Sequence, residues 1–500
     1  MTTSRIYDGI EWHEIVDDGD EHHQVRGGKN AAPLAPILNG DGKIFVSIPS
    51  YRDGERCGKT IVDLFLKAKD PDSIVVGIVD QSYEEDKNCL EVYCKELGFK
   101  IYNKPAIRKD TTKVILNQAE HRGCPRADQI RKLSVHQWAA KGPSWARALS
   151  RKILGNEEFC LQIDSHNKFV QDWDEKLKME WAATRNEFGI ISTPPMGYYE
   201  MDNKEATTVS RGCEVEFQDN EVPHFNERGD GKVENLKKPL LSHTWSSGFS
   251  FAKCHLEESA PYDPFTPFVM GVENFARFAR FWTRGYDVYT PTQNIIYHAY
   301  QPNPQGHSIT EWMHPKDQRH KDEALKRIRT YLGAPDALED YNLANLGIYG
   351  LGKRRTLQQL EKFMDIDITN QVPRPSKAPC MGHEWVPYDV DISPTDNLFD
   401  HPDNLDPQPE YPMRTECVFY EEEAAKASSI DVLEGDIMGE YGDGNKDASP
   451  TKPHASPFPS GTILFPLWII GLAIWYVNFA NASAASRGKQ PRKKAGAKNS

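Results

Sequence analysis

Apolar strand patterns alternate with helical patterns along the amino-terminal part of the chain. The segment "KIFVSIPSYRD" (43–53) is an apolar run that ends in a polar loop, and "SIVVGIVDQ" (73–81) is a β-branched run. Between them, "TIVDLFLKA" (60–68) has its apolar residues at helical spacing. "KNCLEVYCKEL" and "FKIYNKP" then repeat a helix and a strand. This alternation predicts an α/β fold, with a parallel sheet covered by helices.

The same alternation continues towards residue 370. A helical pattern over 128–154 leads into the strand pattern "FCLQI" (159–163). "FGIISTPP" and "WSSGFSFAK" predict further strands, and "MGVENFARFARFWTRGYDVYTP" predicts a helix stopped by Gly285 and then a strand. A helical pattern follows over 302–367. We therefore expect one folded domain over 43–370, preceded by a flexible polar segment, 1–42.

The carboxyl-terminal part has a different character. Residues 371–460 are rich in Pro, Asp, Glu and Ser, which predicts a poorly ordered acidic linker. The charge-free apolar run 461–480 is long enough to form one transmembrane helix, and 481–500 is a basic tail.

Two observations bear on the orientation of this single membrane span, and they disagree. The basic tail favours the cytosol for the carboxyl terminus by the positive-inside rule. The amino terminus has no apolar region typical of a secretory signal, which favours a tail anchor that leaves the folded domain in the cytosol. We expect the second arrangement, with membrane localisation and a cytosolic domain.

Composition excludes some classes of protein. The chain has 38% hydrophobic and 27% charged residues and a net charge of −13, so nucleic acid is not an expected partner. Its nine cysteines form no CxxC pair and are odd in number. This pattern argues against a disulfide framework and a zinc ribbon, and we expect reduced thiols.

The segment "FCLQIDSHNKF" (159–169) carries the clearest chemistry. Asp164 and His166 follow the predicted strand, at the point where the chain turns into a loop. A carboxylate and an imidazole there could hold a divalent cation, and the imidazole favours Mn²⁺ over Mg²⁺. His298, which ends the apolar run "IIYH", is a candidate third ligand, although a structural role is the alternative.

Polar residues at two other strand ends could bind a nucleotide diphosphate at the same edge of the sheet. Ser50 and Arg52 follow the first strand, and Asp80 and Gln81 end the second strand.

Three charged residues in predicted helices complete the candidate set. Arg131 and Arg147 could bind diphosphate oxygens through their guanidinium groups, although salt bridges on a helix face are the alternative. Glu273 begins an apolar helix, a costly place for a carboxylate unless it is paired or functional.

Taken together, the chain resembles the cytoplasmic hydroxyproline-linked N-acetylglucosaminyltransferases, which modify a hydroxyproline on a small ubiquitin-ligase adaptor. The resemblance covers residues 43–367. It is carried by "IFVSIPSYRD", "TIVDLFLKAKDPDSIVVGIVDQ", "GPSWARALSRKIL", "LQIDSHNKFVQDWDEKL", "VMGVENFARFARFWTRGYDVYTP", "IIYHAY" and "YGLGKRRTLQQLEKFMDID".

The resemblance implies a GT-A glycosyltransferase fold with a mixed sheet and UDP-N-acetylglucosamine as the donor. It also implies retention at the anomeric carbon, through either an enzyme nucleophile or same-face attack. Asp164-Ser165-His166 matches the family's metal motif, and His298 matches its metal histidine. Gly248 matches a loop near donor and acceptor.

The resemblance assigns Glu273 to the second acid of a Gly-Glu-Glu pattern, where the present sequence has Gly271-Val272-Glu273. The missing first acid leaves a second hypothesis open, a membrane-tethered binding protein without activity. A third hypothesis keeps the transferase chemistry but places a glycan or lipid acceptor in a secretory compartment.

Overall fold

The structure is a computed structural model, and its described residues all lie within one compact unit, Met1–Gly435. The described residues are 3–8, 11–15, 40–83, 85–99, 115–116, 123–203, 207–217, 222–225, 231–303, 318–334, 346–374, 380 and 383–388.

A nine-stranded mixed sheet forms the centre of the domain. In spatial order its strands are β15 (Leu240–Ser242), β17 (Asp287–Thr290), β9 (Gly189–Ser192), β16 (Phe249–Lys253), β7 (Phe159–Ile163), β3 (Ile44–Tyr51), β4 (Ile74–Ser82), β6 (Ile130–His136) and β5 (Ile115–Leu116).

The direction of these strands decides which residues share an edge. Strands β7, β3, β4 and β6 are parallel, so their carboxyl ends meet at one edge of the sheet. Strand β16 runs antiparallel to β7, with Phe249 opposite Ile163, so the amino end of β16 lies at that same edge.

Helices cover both faces of the sheet. They are α1 (Gly54–Lys67), α2 (Cys89–Glu96), α3 (Pro143–Ser150), α4 (Trp173–Ala183), α5 (His255–Ser259), α6 (Val272–Thr283), α7 (Gln318–Tyr331) and α8 (Leu357–Met364). Alternate β3 side chains point to opposite faces. Val46 and Ile48 pack in one core cluster with Ile61 and Leu64 of α1, whereas Phe45 packs in another with Leu149 of α3.

Smaller sheets surround the central one. One contains β10 (Met196–Gly197), β18 (Ile296–His298) and β8 (Asn167–Phe169). Another contains β11 (Thr208–Arg211), β14 (Gly231–Glu234), β1 (Arg5–Tyr7) and β2 (Trp12–Glu14), and β12 (Val215–Phe217) pairs with β13 (Pro223–Phe225).

The predicted α/β alternation is confirmed, but the helix predicted over 128–154 is wrong in its first half. Residues 130–136 form the buried strand β6, which pairs with β4, and only Pro143–Ser150 is an α-helix. Lys132, Ser134 and His136 are buried in β6 beside apolar residues, which obscured the strand pattern. The strand predicted for "FKIYNKP" lies almost wholly outside the described residues.

The ordered part extends beyond both expected boundaries. Strands β1 and β2, within the segment expected to be flexible, join a sheet with β14. Beyond residue 370, Trp385 donates a hydrogen bond to Asp287 at 2.8 Å, and the Tyr388 hydroxyl donates to the carbonyl of Gly285.

Within the described part of the chain, no helix is long and apolar enough to span a membrane. The predicted transmembrane segment, 461–480, lies outside the described residues, as do the basic tail and most of the linker.

The expectation of reduced cysteines is wrong. Disulfide bonds join eight of the nine cysteines, with Cα–Cα distances from 4.9 to 5.6 Å, in the pairs Cys57–Cys89, Cys94–Cys124, Cys160–Cys254 and Cys213–Cys380. Their separations in the sequence range from 30 to 167 residues, so the pairing follows from contacts between elements that no local motif announces.

Candidate metal and nucleotide site

The three predicted metal ligands meet at the edge where β7 ends. Asp164, His166 and His298 each offer a ligand atom, and these atoms lie within 4.8 Å of one another. The three-stranded sheet of β10, β18 and β8 produces this arrangement. His298 of β18 pairs with Asn167 of β8, and the backbone N–H of Ala299 donates to the carbonyl of His166 at 3.1 Å.

The carboxylate of Asp164 lies among positive and polarised groups. Arg147, on α3, donates to one of its oxygens at 3.0 Å, and Nε2 of His298 lies 3.2 Å from the other. Burial alone would raise the pKa of Asp164. The hydrogen bond from His298 and the charge of Arg147 outweigh it, so the pKa lies well below its usual value. Asp164 is therefore ionised and ready to bind a cation.

Gly248 lies against this carboxylate, at the loop that precedes β16. A Cβ atom added to Gly248 would lie 3.0 Å from Oδ2 of Asp164. The resemblance places Gly248 in a loop near donor and acceptor, and in the structure a side chain at this position would crowd the carboxylate of Asp164.

Sequence reasoning missed Asp53, a buried carboxylate at the start of α1. Its Oδ2 accepts a hydrogen bond from Ser165 at 2.7 Å and lies 2.9 Å from Nδ1 of His166, while its Oδ1 accepts from Arg56 at 2.7 Å. Burial alone would raise the pKa of Asp53. The hydrogen bonds from His166 and Arg56 outweigh burial, so the pKa lies below its usual value. The sequence feature that could have identified Asp53 is its position in "SYRDGE", directly between the end of a predicted strand and a helix.

Buried polar atoms line the neighbouring strands at the same edge. Ser50 pairs in register with Asp80, and Asp80 pairs with Ser134 of β6. The hydroxyls of Ser50 and Ser134 and the Oε1 atom of Gln81 find no hydrogen-bond partner among the described residues. Unpaired buried polar atoms are costly, so this group is suited to a polar ligand.

Lys132, which sequence reasoning also missed, lies on β6 two residues before Ser134. Its ammonium is fully buried, 3.6 Å from the carboxylate of Asp80. Burial raises the pKa of Asp80 above its usual value, although the charge of Lys132 acts in the opposite direction. The strand was assigned to a helix from sequence, so this lysine was not placed beside the site.

Two predicted arginines are engaged elsewhere. Arg52 forms a bidentate pair with Asp86, at 2.8 and 2.9 Å. Arg131 lies towards the amino end of β6, where it donates to Glu157 at 2.6 Å and to the carbonyl of Ile153. The structure does not bring Arg131 to the metal residues.

Glu273 lies buried in the first turn of α6, 5% exposed. The preceding segment reaches the strand ends, because the backbone N–H of Phe268 donates to the carbonyl of Lys141 and Phe268 packs in one cluster with Tyr51. This places the start of α6 on the side of the sheet that carries the candidate site.

The side chains at this edge suit a metal–diphosphate complex. One carboxylate and two imidazoles form a donor set that can hold a divalent cation, and the buried polar atoms of β3, β4 and β6 could bind a nucleotide alongside it.

Comparison with known proteins gives one family assignment. The model of the family described as Glycosyltransferase (GlcNAc) matches residues 43–370. No curated protein matches the chain significantly.

Several solved structures have a distantly similar chain course. GalNAc-T7 with UDP, GalNAc and Mn²⁺ is 12% identical, with 57% of this chain and 48% of that chain covered and a TM-score of 0.37. TarS residues 1–349 from S. aureus, in complex with UDP-GlcNAc, is 12% identical over 60% of this chain and 68% of that chain, with a TM-score of 0.35. The mannosyltransferase PcManGT from Pyrobaculum calidifontis, with GDP-Man and Mn²⁺, is 10% identical over 67% and 74%, with a TM-score of 0.35.

The present chain thus spans about half of the GalNAc-T7 chain. The family match extends over most of the central sheet and its helices, from β3 to the end of α8. Since that match covers more than half of its residues, the chain belongs to the Glycosyltransferase (GlcNAc) family.

Proposed function

We propose that this glycosyltransferase moves N-acetylglucosamine from UDP-N-acetylglucosamine to an acceptor hydroxyl in a Mn²⁺-dependent reaction, on a GT-A type of fold. The observation that carries the proposal is the convergence of Asp164, His166 and His298 at the edge of the sheet where three strands present buried polar atoms. A metal–diphosphate complex would use both features at once.

Each part of the site has a distinct task in this proposal. Asp164, His166 and His298 would hold the cation, which would supply positive charge against the leaving diphosphate. Arg147 keeps Asp164 in place and adds fixed positive charge at the same point. Ser50, Asp80, Gln81 and Ser134 would bind the nucleoside.

The finer features of the reaction rest on the resemblance. It supports retention at the anomeric carbon and a protein hydroxyl as the acceptor, with hydroxyproline on a ubiquitin-ligase adaptor as the specific candidate. Glu273, buried at the start of α6, would orient the acceptor hydroxyl or support the sugar cation.

The decisive experiment measures UDP release from UDP-N-acetylglucosamine by the full-length protein, with Mn²⁺ and after treatment with EDTA. We expect release that depends on Mn²⁺ and falls at least about 100-fold in Asp164→Ala, because an ionised metal ligand is lost. Asp72→Ala is the matched control, since that carboxylate is 85% exposed and pairs with Arg126.

No release from UDP-N-acetylglucosamine, UDP-galactose or UDP-glucose would contradict the proposal and favour the inactive binding protein. A rate of UDP release that is unchanged by EDTA and by the Asp164 substitution would contradict only the metal site.

A second candidate for the acceptor is favoured by the four disulfides. Disulfides persist in secretory compartments and are rare in the cytosol. An acceptor met there, a glycan, a lipid or a secreted protein, would differ from a cytosolic ligase adaptor. The basic tail supports this topology, since residues 481–500 in the cytosol would put a domain on the other side of a single span.

A further inference from the structure

The carboxylate of Asp53 contacts the ring of a predicted metal ligand directly. Its Oδ2 lies 2.9 Å from Nδ1 of His166 and accepts a second hydrogen bond from the hydroxyl of Ser165. Asp53 is 3% exposed, so water offers these groups little competition. The ring nitrogen that remains for a metal ion is Nε2.

The usual structural role for an aspartate at this position is absent. Asp53 is the residue that precedes the first turn of α1, where an aspartate side chain commonly accepts a backbone N–H of the helix. Here the carboxylate makes no such capping bond. Its Oδ1 accepts from Arg56 of the same helix at 2.7 Å, whereas its Oδ2 is turned towards His166, an orientation that the pair with Arg56 does not require.

Other residues of α1 already hold the backbone of the metal-binding loop. The hydroxyl of Thr60 donates to the carbonyl of Ser165 at 3.0 Å and accepts from the N–H of Asn167 at 2.9 Å. One turn further along, Asp63 accepts the N–H of Phe169 at 2.7 Å. The course of the loop therefore has supports independent of Asp53. The carboxylate of Asp53 contacts the imidazole itself at Nδ1, and the hydroxyl of Ser165 lies 3.1 Å from the same nitrogen.

We infer that Asp53 is a positioning residue of the metal centre, which holds His166 in the Nδ1–H form and turns Nε2 towards the ion. This inference rests on the proposed metal site. A carboxylate that accepts the second N–H of a ligating histidine fixes both its tautomer and its ring orientation, and loss of such a partner commonly weakens metal binding about 10–100-fold.

The first test measures Mn²⁺ affinity by calorimetry on the full-length protein, with UDP present and no acceptor. Asp53→Asn keeps the shape of the side chain but removes its charge, and we expect a dissociation constant about 10–100-fold higher. Glu55→Gln is the matched control on the same helix, because Glu55 pairs with Lys59 and Lys87. Equal Mn²⁺ affinity in Asp53→Asn and Glu55→Gln would overturn the inference.

A second readout needs no metal. Nitrogen-15 spectra of labelled histidine at about pH 8, with the His166 resonances assigned by comparison with His166→Gln, report which ring nitrogen carries the proton. We expect Nδ1–H in the wild type and in Glu55→Gln, and a mixture of both tautomers in Asp53→Asn. An unchanged tautomer in Asp53→Asn would also overturn the inference.

The two readouts separate this inference from the proposed function. A wild type that binds no Mn²⁺, but whose His166 tautomer depends on Asp53, would contradict the metal-dependent reaction and leave only the ring contact. If the wild type binds Mn²⁺ and Asp53→Asn changes neither the Mn²⁺ affinity nor the His166 tautomer, the inference is wrong and the proposed function stays in place. Thermal melting of each variant shows that it is folded.

Discussion

At the scale of single residues, Gly248 is the glycine whose added Cβ atom would contact the carboxylate of Asp164. A methyl group there would meet Oδ2 of Asp164 at 3.0 Å and push the carboxylate away from its place beside His298. We expect Gly248→Ala to lower kcat/KM for Mn²⁺-dependent UDP release by up to about 10-fold, because the carboxylate must move by a few tenths of an ångström, less than the roughly 1 Å misplacement that costs about 100-fold.

Gly350→Ala is the control for this substitution, since its added Cβ atom would lie no closer than 3.6 Å to its neighbours among the described residues and so makes ordinary contacts. Unchanged kcat/KM in Gly248→Ala would show that Asp164 has room to move without loss of function. It would also separate Gly248 from the donor site.

The chemistry of the individual ligands could be inferred from sequence, but their partners could not. Asp164 and His166 follow a strand within two residues of each other, so their shared location was local information. Asp53 is 113 residues from His166, and the contact between them depends on how α1 packs against β8. No local sequence pattern predicts a hydrogen bond between residues so far apart in the chain.

At the scale of elements, the disulfide Cys160–Cys254 joins β7 to the residue that follows β16. Asp164 follows β7, and Gly248 precedes β16. Its cysteines are 94 residues apart. We expect the double substitution Cys160→Ser and Cys254→Ser to lower the free energy of unfolding by about 2–5 kcal/mol, because the bond restricts the unfolded chain. Urea denaturation measures this change.

Cys417→Ser is the control, because the other eight cysteines are paired with one another. Equal midpoints for the double variant and this control would contradict the expected contribution of the bond.

Strand β6 shows why element prediction failed at one place. Its apolar residues Ile130, Leu133 and Val135 do not alternate regularly, and the intervening polar residues are buried as well. In a strand buried on both faces, the period of two disappears, and the remaining spacing resembles a helix. The buried polar residues Lys132 and Ser134 lie beside the candidate nucleotide site.

At the scale of the whole molecule, the disulfides favour an oxidising compartment over the cytosolic placement expected from sequence. We expect alkylation of the denatured, unreduced full-length protein to label one cysteine of nine.

In sealed microsomes we expect the domain to resist added protease until detergent opens the membrane. Nine labelled cysteines and a digested domain would instead support the cytosolic arrangement.

The sequence by itself determined the α/β class and pointed to Asp164, His166 and His298 as candidate ligands of a cation. These features depend on local periodicity and on side-chain chemistry, which neighbouring residues carry. Only the tertiary structure decided that His298 reaches Asp164, that Asp53 contacts the ring of His166, and that eight cysteines pair. Each of these is a contact between elements far apart in the chain, where packing decides which side chains meet.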